Sequence, residues 1–206
     1  MHLVLLGDST IDNKSYTKGG LSVEGHLRQS TLAGVITRLA TDGHTTSHIP
    51  KQLERLLLLD ATHLLLSVGG NDALMNINIL ERPALDVWDA VRSISDIINV
   101  FKKDYRKCLD EVLSHSLPTV VCTIYNGAFE SVQEQKVMTT MVRLFNDVII
   151  QCANESDCPV IDLRTICTEH EDYFNPIEPS AIGGEKIAKA IIRSIHLKGG
   201  TTDGPG

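Results

Sequence analysis

The chain lacks the cysteine spacing that would mark a disulfide framework or a zinc site. It has five cysteines, which is an odd number, and none of them forms a CxxC pair. Small secreted scaffolds and zinc-binding modules both depend on regular cysteine spacing, so neither class fits. The pattern predicts buried, reduced thiols in a cytoplasmic protein, and it implies no metal.

Basic clusters and long apolar runs are also missing. The chain has 19 basic and 26 acidic residues, a net charge of −7, and no local concentration of Lys or Arg. Nucleic-acid binding needs such a concentration to neutralise phosphates, so we expect no nucleic-acid partner. The first apolar stretch, at residues 2–6, is too short for a signal peptide or a membrane span, and we therefore predict no membrane span.

Short apolar runs alternate with longer segments of helical periodicity through most of the 206 residues. The length and the 42% hydrophobic content suit one domain, which we place at residues 1–198, and the Gly-rich residues 199–206 are predicted to form a flexible tail. The apolar runs predict five strands, and the periodic segments predict five helices. The strands are at about 2–6, 34–39, 63–68, 119–124 and 159–163, and the helices at 21–31, 49–57, 87–114, 131–153 and 179–196.

Near-continuous apolar strands separated by helices predict an α/β fold with three α/β/α layers and a five-stranded parallel sheet. Ligands of open parallel sheets bind at the carboxyl ends of the strands. Small polar residues follow three of these strands, as Gly7-Asp8-Ser9, as Asp42-Gly43-His44, and as Gly69-Gly70-Asn71-Asp72. The same residue types are common in ordinary turns, but three such turns at one sheet edge indicate a site.

These blocks, in this order, resemble the first three blocks of the SGNH/GDSL hydrolases. The segment Asn175 to Ser180 (NPIEPS) resembles the last block of that family, and the resemblance extends from about residue 3 to residue 193. It implies a flavodoxin-like SGNH hydrolase fold and a serine hydrolase, esterase- or lipase-like, that needs no cofactor and cleaves small carboxylic esters.

The resemblance also implies residue roles. Ser9 matches the nucleophile, and the oxyanion hole would comprise the backbone N–H groups of Ser9 and Gly43 with the Asn71 amide. Asp8 would hold the first turn, and Asp72 would brace the Asn71 loop.

The last block departs from the family pattern at both residues that activate the serine. Glu178 occupies the histidine position and Asn175 the aspartate position. Because a serine hydroxyl is a weak nucleophile, some neighbour must take its proton. Glu178 is one candidate, oriented by Asn175, although it would also suit the N-terminus of the last helix as a cap. A displaced histidine is the other, either His44 or His170.

Three functions remain open at this point. The first is the serine esterase, with an acyl-enzyme on Ser9. The second is a catalytically impaired SGNH domain that binds an acylated or carbohydrate ligand. The third is a metal-dependent phosphoesterase that would use carboxylates at the strand ends as oxygen ligands, namely Asp8, Asp12, Asp72 and Glu178.

Two further expectations concern apolar residues. The loop at residues 76–86 is a candidate lid, and four residues are candidates to line an acyl pocket, namely Met75, Ile77, Ile79 and Leu80. Trp88 and Tyr105 lie on the long predicted helix, where we expect them to serve packing.

Overall fold

The computed structural model describes residues 1–30 and 34–199. It contains seven strands and six α-helices within those residues, joined by loops and short 3-10 turns. The strands are β1 (His2–Gly7), β2 (Val35–Arg38), β3 (His63–Ser67), β4 (Thr119–Cys122), β5 (Val160–Ile161), β6 (Tyr173–Asn175) and β7 (Glu178–Pro179). The helices are α1 (Val23–Gln29), α2 (Ile49–Leu56), α3 (Gly70–Leu74), α4 (Val87–Leu113), α5 (Val132–Glu155) and α6 (Ala181–Gly199).

The five predicted strands form one parallel sheet in the order β2-β1-β3-β4-β5, the flavodoxin-like order. The predicted fold class is therefore confirmed. The order reverses between β1 and β3, which pair with Leu5 opposite Leu65 and Gly7 opposite Ser67. Open sheets bind their ligands at such a switch point, and Ser9 follows β1 directly.

The sheet is covered on both faces, which explains its continuous apolar strands. Alternate side chains of β1 point to opposite faces, so that Leu3 and Leu5 contribute to one core and Val4 and Leu6 to the other. Helices α1 and α6 pack on the first face, and α2, α4 and α5 on the second. All four of these β1 side chains are fully buried.

Residues 173–179 form a structure that the sequence did not predict. They fold into an antiparallel hairpin in which Asn175 pairs with Glu178, and α6 begins only at Ala181. Ser180 caps α6, since its Oγ accepts from the backbone N–H groups of Ile182 and Gly183. The expected capping role of Glu178 is therefore wrong, because its side chain lies in the hairpin, before the helix.

Other expectations have mixed outcomes. The five cysteines are buried and form no disulfide bonds, as predicted. Tyr105 is fully buried, but Trp88 is 79% exposed, so a packing role for Trp88 is wrong.

The division into a domain at residues 1–198 and a flexible tail stays a prediction, since Gly199 ends α6 and residues 200–206 lie outside the described residues. No helix among the described residues is long and apolar enough to cross a membrane.

Candidate functional site

A cleft with about 870 Å³ of open space lies at the carboxyl edge of the sheet. The loops after β1, β3 and β4 form its walls together with the β6–β7 hairpin and one face of α5. Four of the sequence-predicted residues line it, namely Asp8, Ser9, Asn71 and Glu178. The switch point of the sheet therefore brings the candidate nucleophile and the candidate base into one cleft.

Ser9 is placed by a turn that only glycine permits. Gly7 has φ +137°, and a Cβ atom there would lie 1.9 Å from the carbonyl oxygen of Ser67 on the neighbouring strand. The Gln52 side chain satisfies both backbone groups of Gly7, accepting from its N–H and donating to its carbonyl. This close approach of β1 to β3 fixes the point at which the chain turns, and Ser9 follows it as a buried residue.

The Ser9 side chain lies close enough to the Glu178 carboxylate to lower the pKa of that carboxyl. Glu178 is only 8% exposed, and burial, the larger effect, raises its pKa to about 7. Negative charge on Asp42 and Asp8 raises the pKa further. Ser9 thus lies beside a carboxyl group whose pKa is close to neutral pH.

Asn175 supports Glu178 through the main chain. Its Oδ1 accepts from the backbone N–H groups of Ile177 and Glu178, at 3.0 Å and 2.9 Å, and so holds the tight end of the hairpin. The sequence suggested that Asn175 would hydrogen-bond the Glu178 carboxylate. Its oxygen contacts the backbone instead, because the two-residue connection leaves these N–H groups unpaired at the turn.

Asn13 connects the first turn to the hairpin, a contact that was not predicted from the sequence. It is fully buried, and its amide donates to the carbonyl oxygens of Pro179 and Ser180 at 3.2 Å and 3.3 Å. Its Oδ1 accepts from the N–H of Val23. One side chain therefore fixes the segment that follows Ser9 against the segment that follows Glu178.

Asp8 is a second buried carboxyl beside Ser9. Burial raises its pKa to about 7, with smaller contributions from the charges of Asp72 and Asp42. Its Oδ1 accepts from the N–H of Thr10 at 3.0 Å. This contact lies within the turn itself, as expected of a residue that holds the turn.

Asn71 is the second residue of α3 and presents its amide to the cleft. One of its amide hydrogens is donated to the carbonyl oxygen of His44 at 2.9 Å, which leaves the other for a ligand. Asp72 accepts from both the backbone N–H and the hydroxyl of Thr46. Two adjacent residues of α3 therefore attach it to the loop after β2.

Gly43 lies in that same loop, exposed at φ +79°, and does not line the cleft. The loop is held by a hydrogen bond from the Tyr16 hydroxyl to Asp42 at 2.6 Å and by one from the Asp42 N–H to Asp12. The backbone N–H groups of Ser9 and Gly43 donate to no other group within residues 1–30 and 34–199. The oxyanion role of Gly43 stays a prediction.

Neither candidate histidine contacts Ser9. The Nδ1 atom of His44 is engaged by the Gln52 amide at 2.9 Å, and its ring stacks on His48 with 4.5 Å between centroids. Burial lowers the pKa of His44. His170 is exposed in a 3-10 turn before the hairpin. Since neither ring lines the cleft, a displaced histidine base finds no support in this arrangement.

The carboxylates of the metal hypothesis do not converge. Asp12 forms an ion pair with Arg38, and Asp72 is engaged by Thr46. Across the part of the chain that the structure describes, no three Asp, Glu, His or Cys residues are grouped so as to hold a metal ion. The geometry thus gives no basis for the phosphoesterase hypothesis.

The loop after β4 contributes residues that the sequence analysis missed. The Tyr125 hydroxyl donates to the Ile177 carbonyl at 2.7 Å, and Asn126 lines the cleft. Asn126 Oδ1 and Glu178 Oε2 are both buried without a hydrogen-bond partner. An unpaired buried acceptor costs about 1–3 kcal/mol, so both atoms favour a ligand or water that donates to them. Ligands of open parallel sheets bind at the loops that follow the carboxyl ends of the strands, and this rule would have indicated the loop after β4 too.

The opposite wall of the cleft is apolar. Of the four residues expected in an acyl pocket, Ile77 and Leu80 line the cleft, whereas Met75 and Ile79 do not. The candidate lid is partly helical, with a 3-10 turn over Ile77–Glu81. Helix α5 supplies most of the remaining apolar surface, through Met138, Met141, Val142 and Phe145.

A doubly wound α/β/α domain with a buried serine after its first strand defines a class of hydrolase-like proteins. Residues 5–185 match the model of the GDSL-like Lipase/Acylhydrolase family, and the chain belongs to that family. The resemblance found in the sequence is thereby confirmed.

Solved structures share the fold at low sequence identity. An extracellular lipase from Streptomyces rimosus is 16% identical and superposes with a TM-score of 0.70, covering 94% of this chain and 99% of the lipase. A phospholipase A1 from Streptomyces albidoflavus is 16% identical with a TM-score of 0.67, covering 93% and 98%. An acetylxylan esterase mutant from Geobacillus stearothermophilus is 15% identical with a TM-score of 0.68, covering 94% and 93%. No curated protein sequence matches the chain.

Proposed function

We propose that the protein is a serine ester hydrolase in which Ser9 is the nucleophile and Glu178 is its general base. The observation that supports this most directly is that Ser9 and Glu178, both buried, line one cleft and lie close enough for the serine to lower the pKa of the carboxyl. A dyad needs the base near the hydroxyl proton, and catalytic hydrogen bonds often shorten only when the substrate is bound.

The raised pKa of Glu178 makes a carboxylate a plausible substitute for histidine. An ordinary Glu is a poor base near neutral pH, whereas an ordinary His has a pKa of about 6.5. Burial brings the Glu178 carboxyl to about 7, close to that of His. General bases work best when their pKa lies near the working pH, so the environment of Glu178 compensates for the residue type.

The proposed reaction has two halves. Glu178 takes the Ser9 proton while Ser9 Oγ attacks the ester carbonyl, and the protonated Glu178 then gives the proton to the leaving alcohol. The free amide hydrogen of Asn71 and the backbone N–H of Ser9 stabilise the oxyanion. In the second half, Glu178 takes a proton from a water that attacks the acyl-enzyme. It then returns that proton to Ser9 Oγ as the bond between Oγ and the acyl carbon breaks and the carboxylic acid leaves. The unpartnered Oε2 of Glu178 is an acceptor available to that water.

The apolar wall of the cleft suits the acyl group of the ester. Ile77 and Leu80 face the cleft from one side and Met138, Met141 and Val142 from α5. Methionine side chains adapt to ligands of different shape, which suits a range of acyl chains. A cytoplasmic location stays a prediction, based on five buried cysteines that form no disulfide bonds.

The second candidate is a binding domain without turnover. The replaced histidine and aspartate positions favour it, as do two unpaired acceptors in a cleft that could hold a ligand's donors. It would bind an acylated or carbohydrate ligand in the same cleft.

The test is covalent trapping together with turnover of p-nitrophenyl esters. Wild type should form a stoichiometric adduct with a phosphonate ester, visible by intact-protein mass spectrometry, and Ser9→Ala should form none. Ser67→Ala is the matched control, since Ser67 lines the same cleft and has no part in the proposed chemistry. Ester turnover that persists in Ser9→Ala would refute the proposal. Ligand binding with neither adduct nor turnover would favour the binding domain.

A further inference from the structure

A continuous run of apolar side chains is exposed beside the mouth of the cleft. Leu85 is 94% exposed, Val87 80% and Trp88 79%. Exposed hydrophobic residues are ordinary when scattered, but a local concentration marks an interaction site. We call this set the Trp88 surface, and its members are Ile77, Leu80, Leu85, Val87, Trp88 and Val91.

The packing of α4 explains why these residues are uncovered. Phe101, Tyr105 and Leu109, in its C-terminal half, are buried in the core. Its N-terminal part, residues 87–100, contains no buried residue, and only Ile97 and Ile98 of that part pack against the core. Residues 87–96 span about 15 Å at 1.5 Å per residue and contribute no apolar side chain to either core cluster.

The Trp88 surface shares two residues with the cleft. Ile77 and Leu80 belong to both, since each lines the cleft and is about 40% exposed. A partner that covers these two residues therefore lies at the edge of the cleft that contains Ser9. A folded protein there would obstruct access, whereas an assembly of amphiphilic molecules would bring substrate to the entrance.

The charge around the Trp88 surface indicates which kind of amphiphile assembly it can bind. Arg92 forms an ion pair with Asp89, and Arg82 lies between the acidic residues Glu81 and Asp86 in sequence. There is no excess of positive charge, and the whole chain carries −7. The protein would thus gain no electrostatic attraction from anionic lipid headgroups. A lipid surface without net charge would bind it through apolar contact alone.

We propose that the Trp88 surface docks the protein on zwitterionic lipid surfaces, from which ester-bearing amphiphiles enter the cleft. Trp88 inserts at the headgroup level, where the amphipathic indole is favoured, with Leu85, Val87 and Val91 around it. The docking is independent of the chemistry at Ser9. The transfer of substrate into the cleft rests on the proposed function.

Trp88 is the only tryptophan of the chain, so its fluorescence reports on this surface alone. Adding phosphatidylcholine vesicles should shift its emission to shorter wavelength, and brominated phosphatidylcholine should quench it. Mixed phosphatidylcholine–phosphatidylserine vesicles should bind no better. The Ser9→Ala protein should behave as wild type does, which separates docking from turnover.

Matched double variants test the location. Leu85→Ser/Val87→Ser keeps the Trp88 probe and should weaken vesicle binding at least about tenfold, since two aliphatic side chains are lost from the contact. Leu57→Ser/Leu58→Ser removes two equally exposed aliphatic side chains just after α2 and should bind as wild type. Both variants should hydrolyse soluble esters unchanged, whereas the first should lose turnover of vesicle-borne esters.

Three results would overturn the docking proposal. The first is no emission shift with phosphatidylcholine vesicles. The second is equal loss of binding in the two double variants. The third is a shift that appears without lipid as protein concentration rises, with a doubled mass, because a second copy would then be the occupant. Vesicle binding without any ester turnover would leave docking intact and refute only the proposed function.

Discussion

Two regions each bring one buried carboxyl group to Ser9, and they use it differently. The turn after β1 supplies Asp8, and the β6–β7 hairpin supplies Glu178. Burial raises the pKa of both groups to about 7. Asp8 accepts from the backbone of its own turn, whereas Glu178 lies beside the Ser9 side chain and keeps one oxygen unpartnered. A shifted pKa therefore does not identify the base, because the contacts of each carboxyl decide its role.

The largest expected effect comes from changing each carboxyl to its amide. Glu178→Gln should lower kcat/KM for p-nitrophenyl acetate by about 10²–10⁴-fold, because a positioned general base contributes that much. Asp8→Asn should lower it less than about tenfold, since Asn still accepts from Thr10. Steady-state kinetics on both variants checks this. Similar losses of kcat/KM in the two variants would show that the two carboxyl groups do not differ in role.

The exposed Glu171→Gln serves as the control, because it makes the same chemical change seven residues before Glu178. It should retain wild-type kcat/KM.

The second effect concerns stability. The folded-state pKa of Asp8 is raised, so the folded protein binds this proton more tightly than the unfolded chain does. The resulting stability is complete below the unfolded pKa and is lost as pH rises through about 7. Between pH 5 and pH 8 the Asp8 contribution should fall by about 2–3 kcal/mol, from a shift of roughly two units across that window. Urea unfolding of wild type and Asp8→Asn at both pH values measures it, and the variant should lose less stability.

The third effect tests the support of the hairpin. Asn175→Ala removes the acceptor for two backbone N–H groups and should cost about 1 kcal/mol of unfolding free energy. It should also reduce kcat several-fold by loosening Glu178. Asn175→Asp retains an acceptor at the same position and should restore both quantities. If Asp fails to restore them, Asn175 acts in some way other than through the turn.

The smallest effect lies in the pH profile. Wild-type kcat/KM should rise with pH through an apparent pKa of about 7, because Glu178 must be ionised to accept the proton. The charge of Asp8 raises the pKa of Glu178, so Asp8→Asn should move this rise to lower pH by less than about one unit. A profile that does not move would mean that the two carboxyls are not coupled.

The sequence was informative where burial is complete and the motif is local. The three central strands, β1, β3 and β4, are buried almost throughout, which makes their apolar pattern unambiguous, and the segments after β1 and β3 are continuous motifs. The β6–β7 hairpin was missed because its strands have three and two residues, too few to show a period. The direction of the Glu178 side chain depends on that hairpin and on Asn13, a contact across more than 160 residues.

Trp88 shows a different reason for failure. Helical periodicity indicates which residues of α4 share a face, but not whether a neighbouring element reaches far enough to cover it. From Ile97 onward α4 packs against such neighbours, whereas residues 87–96, which include Trp88, contribute no apolar side chain to either core cluster.

The separation of Ser9 from Glu178 in the chain has a consequence for synthesis. A ribosome that adds about 5–20 residues per second makes the serine roughly 10–30 s before the carboxylate that is proposed to activate it. The hairpin and the Asn13 contact to Pro179 and Ser180 form only after the final segment emerges. A nascent chain therefore holds an unactivated serine until residues 173–180 have emerged and folded against it.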